Sequence, residues 1–237
     1  MLMKKTLLAA SLAATTLFTA TSAFAVDSVE LKVIGTISPV ACTPTLSGGG
    51  SIDYGDMKAS SLAQDDYTVL DEKTLDFSIA CDGKAKVAMK VVNGRLDTLA
   101  GSTENALSGA GAVPTGVTLT TGDAAYGLGL AGSAKIGGYG IALSAPKADG
   151  TAVDSIYKSA DASVTTWTKG ATKSSLTTST DELTLTSWAT TGTLVPIALK
   201  ALAGTLSVQA YINKASALDM TKPTKLDGLA TLELVYL

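Results

Sequence analysis

The chain has 237 residues, 46% of them apolar and only 16% charged, a formal net charge of −3 and no histidine. That apolar share is too high for a disordered chain, and 18 Lys and Arg against 21 Asp and Glu form no basic cluster able to hold a phosphate backbone, so nucleic acid is not an expected partner. Without histidine the commonest general base, the Ser-His-Asp arrangement and most zinc sites are absent.

In chain order, Lys4 and Lys5 precede a short apolar run, Leu7 to Ala14, and small residues ending in Ala23-Phe24-Ala25. The pattern predicts a signal peptide over residues 1–25, with cleavage before Val26 and export to the periplasm or beyond. Removing 25 of 237 residues leaves about 210, enough for one large β domain or two small ones. No later stretch is long and apolar enough for a transmembrane helix. Val29, Leu31 and Val33 then alternate with Glu30 and Lys32, which puts the apolar residues on one strand face, and Gly35 leaves room for a bend. Cys42 and Cys81 are the only cysteines, and in an exported chain an even pair is most simply a disulfide.

Period-two or β-branched runs recur over Val29 to Ile37, Thr74 to Ala80, Ala85 to Val92, Gly116 to Thr121, Ile136 to Leu143, Glu182 to Trp188, Leu194 to Leu199, Thr205 to Ile212 and Leu229 to Tyr236. Turn dipeptides such as Asp82-Gly83, Asn93-Gly94, Gly122-Asp123 and Asp149-Gly150 separate them. The reading is an all-β sandwich or barrel. Residues 101–180, rich in Gly, Ala, Ser and Thr, read as a low-complexity insertion of glycine-rich strands and loops within one domain spanning 39–237. At the carboxyl end, Ala230, Leu232, Leu234 and Tyr236 share a strand face and the chain stops at Leu237. A strand of that kind needs a pairing partner or a cover.

Chemistry-bearing motifs are few. Asp65-Asp66, Asp71-Glu72 and Asp181-Glu182 are neighbours in sequence, and adjacent residues on a strand face opposite sides, so no catalytic pair, metal site or cofactor site is expected. Gly127-Leu-Gly-Leu-Ala-Gly132 matches G-x-G-x-x-G, but glycine-rich β sequence follows it where a dinucleotide site needs a helix. Trp167, Trp188, Tyr126, Tyr139 and Tyr157 are read as core or strand-pair aromatics ahead of a sugar-stacking surface.

The glycine before the first cysteine, the second cysteine one hairpin later and the alternating last strand with a penultimate tyrosine together resemble the bacterial chaperone–usher fimbrial (pilin-like) subunits. The likeness is nearest to divergent exported fimbrial-like proteins of unassigned role. It implies an immunoglobulin-like sandwich lacking its final strand, hence an open groove beside the C-terminal strand. It further implies a periplasmic chaperone that lends a strand to that groove, an outer-membrane usher, and neighbouring subunits whose N-terminal extensions replace the chaperone strand. On these positions, residues 26–38 would be the donor extension with Val29, Leu31, Val33 and Gly35 entering a neighbour's groove. Ala230, Leu232, Leu234 and Tyr236 would line the acceptor groove and meet the chaperone, and basic residues of the chaperone would hold the Leu237 carboxylate. The expected role is structural, at the cell surface, in adhesion, with no enzymatic activity. The extension is shorter than that of a major shaft subunit and the chain longer than a typical pilin. Two other readings of the same residues are a small outer-membrane β-barrel and a secreted β-sandwich that binds without polymerising.

Overall fold

A computed structural model describes residues 29–177 and 183–237. The signal-peptide segment, Val26 to Ser28 and the pair Asp181-Glu182 lie outside the described residues. Residues up to Ser38 group apart from a compact unit, Pro39–Leu237.

The compact unit is all-β. Its strands are β1 (Cys42–Leu46), β2 (Thr68–Val69), β3 (Lys73–Ala85), β4 (Val87–Asn93), β5 (Gly111–Ala112), β6 (Ala124–Gly127), β7 (Leu130–Ala131), β8 (Ala134–Lys135), β9 (Gly137–Ala148), β10 (Thr151–Ser159), β11 (Thr168–Lys169), β12 (Lys173–Ser175), β13 (Thr184–Thr190), β14 (Leu199–Ile212) and β15 (Ala230–Tyr236). The main path runs β1-β3-β14-β9-β10-β13-β4-β15, antiparallel throughout. The path curls into a nearly closed, sandwich-like fold, with β1, β3, β14 and β9 on one side and β10, β13, β4 and β15 on the other, and β1 approaches β15 at the Cys42–Tyr236 end.

The layers join at the β9–β10 hairpin, where Asp149 (φ 49°) and Gly150 (φ 83°) both take the positive φ that a two-residue primed turn requires. The Asp149 carboxylate also accepts the N–H groups of Lys200 and Ala201, tying the hairpin tip to the start of β14. The segment carrying β11 and β12 straps this side: β11 pairs with β10, and β12 with β9. Among the described residues the opposite side of the sandwich has no such strap, and β1 and β15 end the path there, each with one neighbour.

Between the layers Phe77 and Ile79 of β3, Leu206 and Val208 of β14, Val87, Met89 and Val91 of β4, and Trp188 of β13 form a continuous buried core. Each such side chain contributes roughly 1.5–3 kcal/mol on burial. The interior is filled with side chains. A second, smaller core lies on the outer face of β9 and β14, where Leu99, Val117, Leu119 and Ala125 pack on Tyr211. Because β9 is thereby covered on both faces, Gly137 to Leu143 is buried without alternation. Beneath this layer Gln209 stays satisfied: its side-chain oxygen accepts the Thr120 N–H (2.6 Å) and its amide donates to the Leu70 carbonyl (3.1 Å).

Several expected elements differ. Gly116 to Thr121 forms turns, because Val117 and Leu119 reach the second core from a loop. Leu194 to Ala198 is irregular apart from a single bridge from Pro196 to Ala189. Asp82-Gly83 is no hairpin turn: it lies within β3 at a register shift, where Ala85 faces Leu199 and Ala80 faces Ala201. Residues 29–38, read as a strand, carry no ladder, since no sheet edge is paired with them. Of the aromatic set, Trp188, Tyr126 and Tyr139 are buried in the core, whereas Tyr157 is exposed and Trp167 only half-buried. The G-x-G-x-x-G match runs from the end of β6 into the small β7–β8 hairpin, with no helix after it.

Candidate strand-acceptor edge and donor segment

The last strand is held on one side only. The Leu229 carbonyl accepts the Gly94 N–H and the Leu237 N–H reaches the Lys86 carbonyl, so in the β15–β4 register the odd-numbered residues exchange ladder bonds with β4. The backbone groups of Ala230, Leu232, Leu234 and Tyr236 therefore point away from β4, along the free edge. The same four residues carry the side chains turned toward the interior: Ala230, Leu232 and Leu234 are half-buried and pack on the main core, while Tyr236 is 52% exposed. One edge thus combines incompletely covered apolar side chains with unpaired N–H and C=O groups, both unfavourable in water.

The outer face of the strand is polar and anchored. Glu233 pairs with Lys90 at 2.7 Å. Ahead of the strand, Arg95 grips Asp227 with two guanidinium hydrogen bonds of 2.8 and 2.7 Å and adds a third to its carbonyl at 3.1 Å. The Arg95 guanidinium holds the Asp227 carboxyl below its ordinary range. A bidentate pair of this kind fixes where β15 begins.

At the other end of the path, Cys42 and Cys81 are bridged directly across the β1–β3 ladder, as expected from the cysteine count. The Cys42 N–H donates to the Tyr236 hydroxyl at 2.8 Å, a contact between residues 194 apart that links the two free edge strands through a side chain. No strand lies between β1 and β15 among the described residues.

Of the proposed donor residues, Val29, Leu31 and Val33 are 95%, 90% and 91% exposed, and nothing lies near Gly35. Ile37, in phase with them, is wholly exposed as well, and Ile34 on the opposite face is 91% exposed. Glu30 and Lys32 form a loose 3.8 Å pair. The donor set expected from sequence, Val29, Leu31, Val33 and Gly35, stops one period short of Ile37. Continuing the period of two would have added Ile37, whereas the Tyr236–Cys42 contact has no local sequence signal.

Among the described residues, Glu72 and Asp66 of the sequence-adjacent acidic pairs have partners of their own. Glu72 is engaged by Lys173 and by the Thr120 hydroxyl, and the Lys173 hydrogen bond is the main reason its carboxyl sits below the ordinary range. Asp66 caps its own loop at the Tyr67 N–H. Among the described residues no three His, Cys, Asp or Glu side chains group as metal ligands, and no helix is long and apolar enough to cross a membrane.

The family model described as "Protein of unknown function (DUF1120)" matches residues 31–140, which run from the candidate donor segment into the start of β9. Protein GltF of Escherichia coli (strain K12) is 31% identical over 255 aligned residues that cover all of both chains. Uncharacterized protein YhcF of the same organism is 32% identical over 82 residues, 35% of this chain and 34% of that one.

Proposed function

Taking as premise that this chain belongs to the family of GltF and the DUF1120 proteins of unknown function, we propose that it is an exported, fimbrial-type structural subunit assembled by strand donation. Its open edge at β15 accepts a strand first from a periplasmic chaperone, at an outer-membrane usher, and then from the extension of a neighbouring copy or subunit. The assembled product serves adhesion at the cell surface. One observation carries the reading: a single chain holds both an edge strand with Ala230, Leu232, Leu234 and Tyr236 unpaired and a segment with Val29, Leu31, Val33 and Ile37 exposed at the same period of two.

The energetics favour pairing in a ladder over simple apolar contact. Burying each of those four side chains contributes roughly 1.5–3 kcal/mol, against about 1–2 kcal/mol of backbone ordering for every residue fixed. Over the nine residues from Val29 to Ile37 the ordering cost exceeds the apolar gain, so the backbone bonds to β15 must supply the difference, and the alternate side chains supply register.

Co-expression with a pilus chaperone in the periplasm, followed by comparison of heated and unheated gels in SDS, tests the proposal. It predicts chaperone co-purification and heat-sensitive complexes or ladders. A stable monomer that never retains a chaperone would overturn it, and heat-modifiable migration of a membrane-extracted monomer would favour an outer-membrane barrel instead.

A further inference from the structure

The two edges that border the gap are unequal. Cys42 and Cys81 face each other with Cα atoms 4.0 Å apart, the close spacing of a non-hydrogen-bonded pair, and the flanking Asp82 N–H bonds the Ala41 carbonyl. This register turns the backbone groups of Cys42, Pro44 and Leu46 away from β3, toward the gap. Of the three donors such an edge would normally offer, Pro44 has none and Cys42 has already given its own to Tyr236. Leu46 alone is left. On β15, by contrast, Ala230, Leu232 and Leu234 each present an N–H and a C=O.

We infer that the groove is one-sided: residues 26–38 of a second copy build their full ladder on β15, whereas β1, with its carbonyls and the Leu46 N–H alone to offer, meets them mainly through side chains, the Tyr236 hydroxyl closing the Cys42 end. The inference deepens the strand-acceptance reading and rests on it. Its physical content is specificity. A strand that bonded both edges would gain nearly twice the ladder, whereas a one-sided ladder leaves discrimination among occupants to the side chains that meet Leu46, Leu232 and Leu234. It also protects β1 from pairing with the β1 of another copy, since a proline and a pre-empted donor blunt an edge.

The probe is a synthetic peptide of residues 26–38, added in excess to full-length protein carrying Leu31→Asp and Val33→Asp, whose own extension can no longer donate. Amide hydrogen exchange is read residue by residue. The amides of Ala230, Leu232 and Leu234 are expected to slow at least about tenfold on peptide addition, while those of Cys42 and Leu46 change less than about twofold. Slowing at Leu46 equal to that at Leu232 would overturn the one-sided groove and leave strand acceptance standing. No slowing anywhere on β15 would overturn both. In the peptide-free protein, Tyr236→Phe is expected to speed Cys42 amide exchange about tenfold, and an unchanged rate would show that the Tyr236 hydroxyl does not occupy that donor.

Discussion

Replacing Gly137 by alanine tests whether the glycine-rich stretch is packed structure or spacer. Gly137 opens β9 opposite Ile212, and its carbonyl accepts the N–H groups of Ala100 and Leu128 at 3.2 and 3.3 Å. A Cβ there would sit 2.0 Å from the Tyr211 carbonyl oxygen and 3.1 Å from the Ile212 Cα, all backbone of β14. Relief requires the two strands to separate by roughly 1 Å or more, since comfortable contact begins near 3.5 Å. Overpacking costs about 1–3 kcal/mol. With backbone as the obstacle the upper end applies, so Gly137→Ala is expected to cost about 3 kcal/mol and lower the midpoint of thermal unfolding by roughly 6–12 °C. Gly132→Ala is the comparison: nothing lies within 4 Å, and only the left-handed backbone at φ 64° is penalised, at about 1 kcal/mol. Circular dichroism melts of the two variants beside the parent decide the matter. Equal melts for Gly137→Ala and Gly132→Ala would refute the close packing of β9 on β14.

Removing the disulfide with Cys42→Ala and Cys81→Ala opens a loop of sequence separation 39 and is expected to lower stability by about 4 kcal/mol in the chain-entropy model, read from the denaturant midpoint of the oxidised protein and the double variant. Stability should be flat from about pH 5 to pH 9, because there is no histidine to titrate. On the acid side, Asp149, held down by the N–H groups of Ala201 and Lys200, and Asp227, held down by Arg95, have folded values below the ordinary 3.8. Their contribution is therefore full above 3.8 and disappears as pH falls through the depressed folded values. On the alkaline side, burial pushes the Tyr126 hydroxyl from 10.0 up to about 12, so its contribution is full below 10 and is lost as pH rises toward 12. Urea midpoints across pH 2–12 check both limbs, and a transition near pH 6.5 would contradict the assignment.

Much of the main sandwich was legible because its strands are covered on one face. Leu229 to Tyr236 follows the alternation that β15 displays, and Met89 to Asn93 alternates in the second half of β4, whereas Thr205 to Ile212, buried on both faces from Leu206 onward within β14, is legible from its β-branched and aromatic content. Legibility fails where a strand is covered on both faces by small residues. In β9, Gly138 admits Leu99 and Tyr211 within 2.7 Å of where a Cβ would stand, so apolar contact is made by its partners while the strand itself reads as low complexity. Val117 and Leu119 show the converse, an alternation spent on a loop that caps the second core. At the candidate site, the edge residues Ala230, Leu232 and Leu234 could be read from period and position. The role of Pro44 depends on the β1–β3 register, and the Tyr236–Cys42 contact on the fold as a whole.

Strand donation between copies is tested most directly by mixing two defective full-length proteins, one carrying Leu31→Asp and Val33→Asp in the donor segment, the other Leu232→Asp and Leu234→Asp on the acceptor edge. Native mass spectrometry is expected to show each variant alone as a monomer, the mixture as a one-to-one heterodimer and nothing larger, and the unsubstituted protein as a ladder of oligomers. A mixture that stays monomeric beside an oligomerising parent, or variants that oligomerise alone as the parent does, would contradict it.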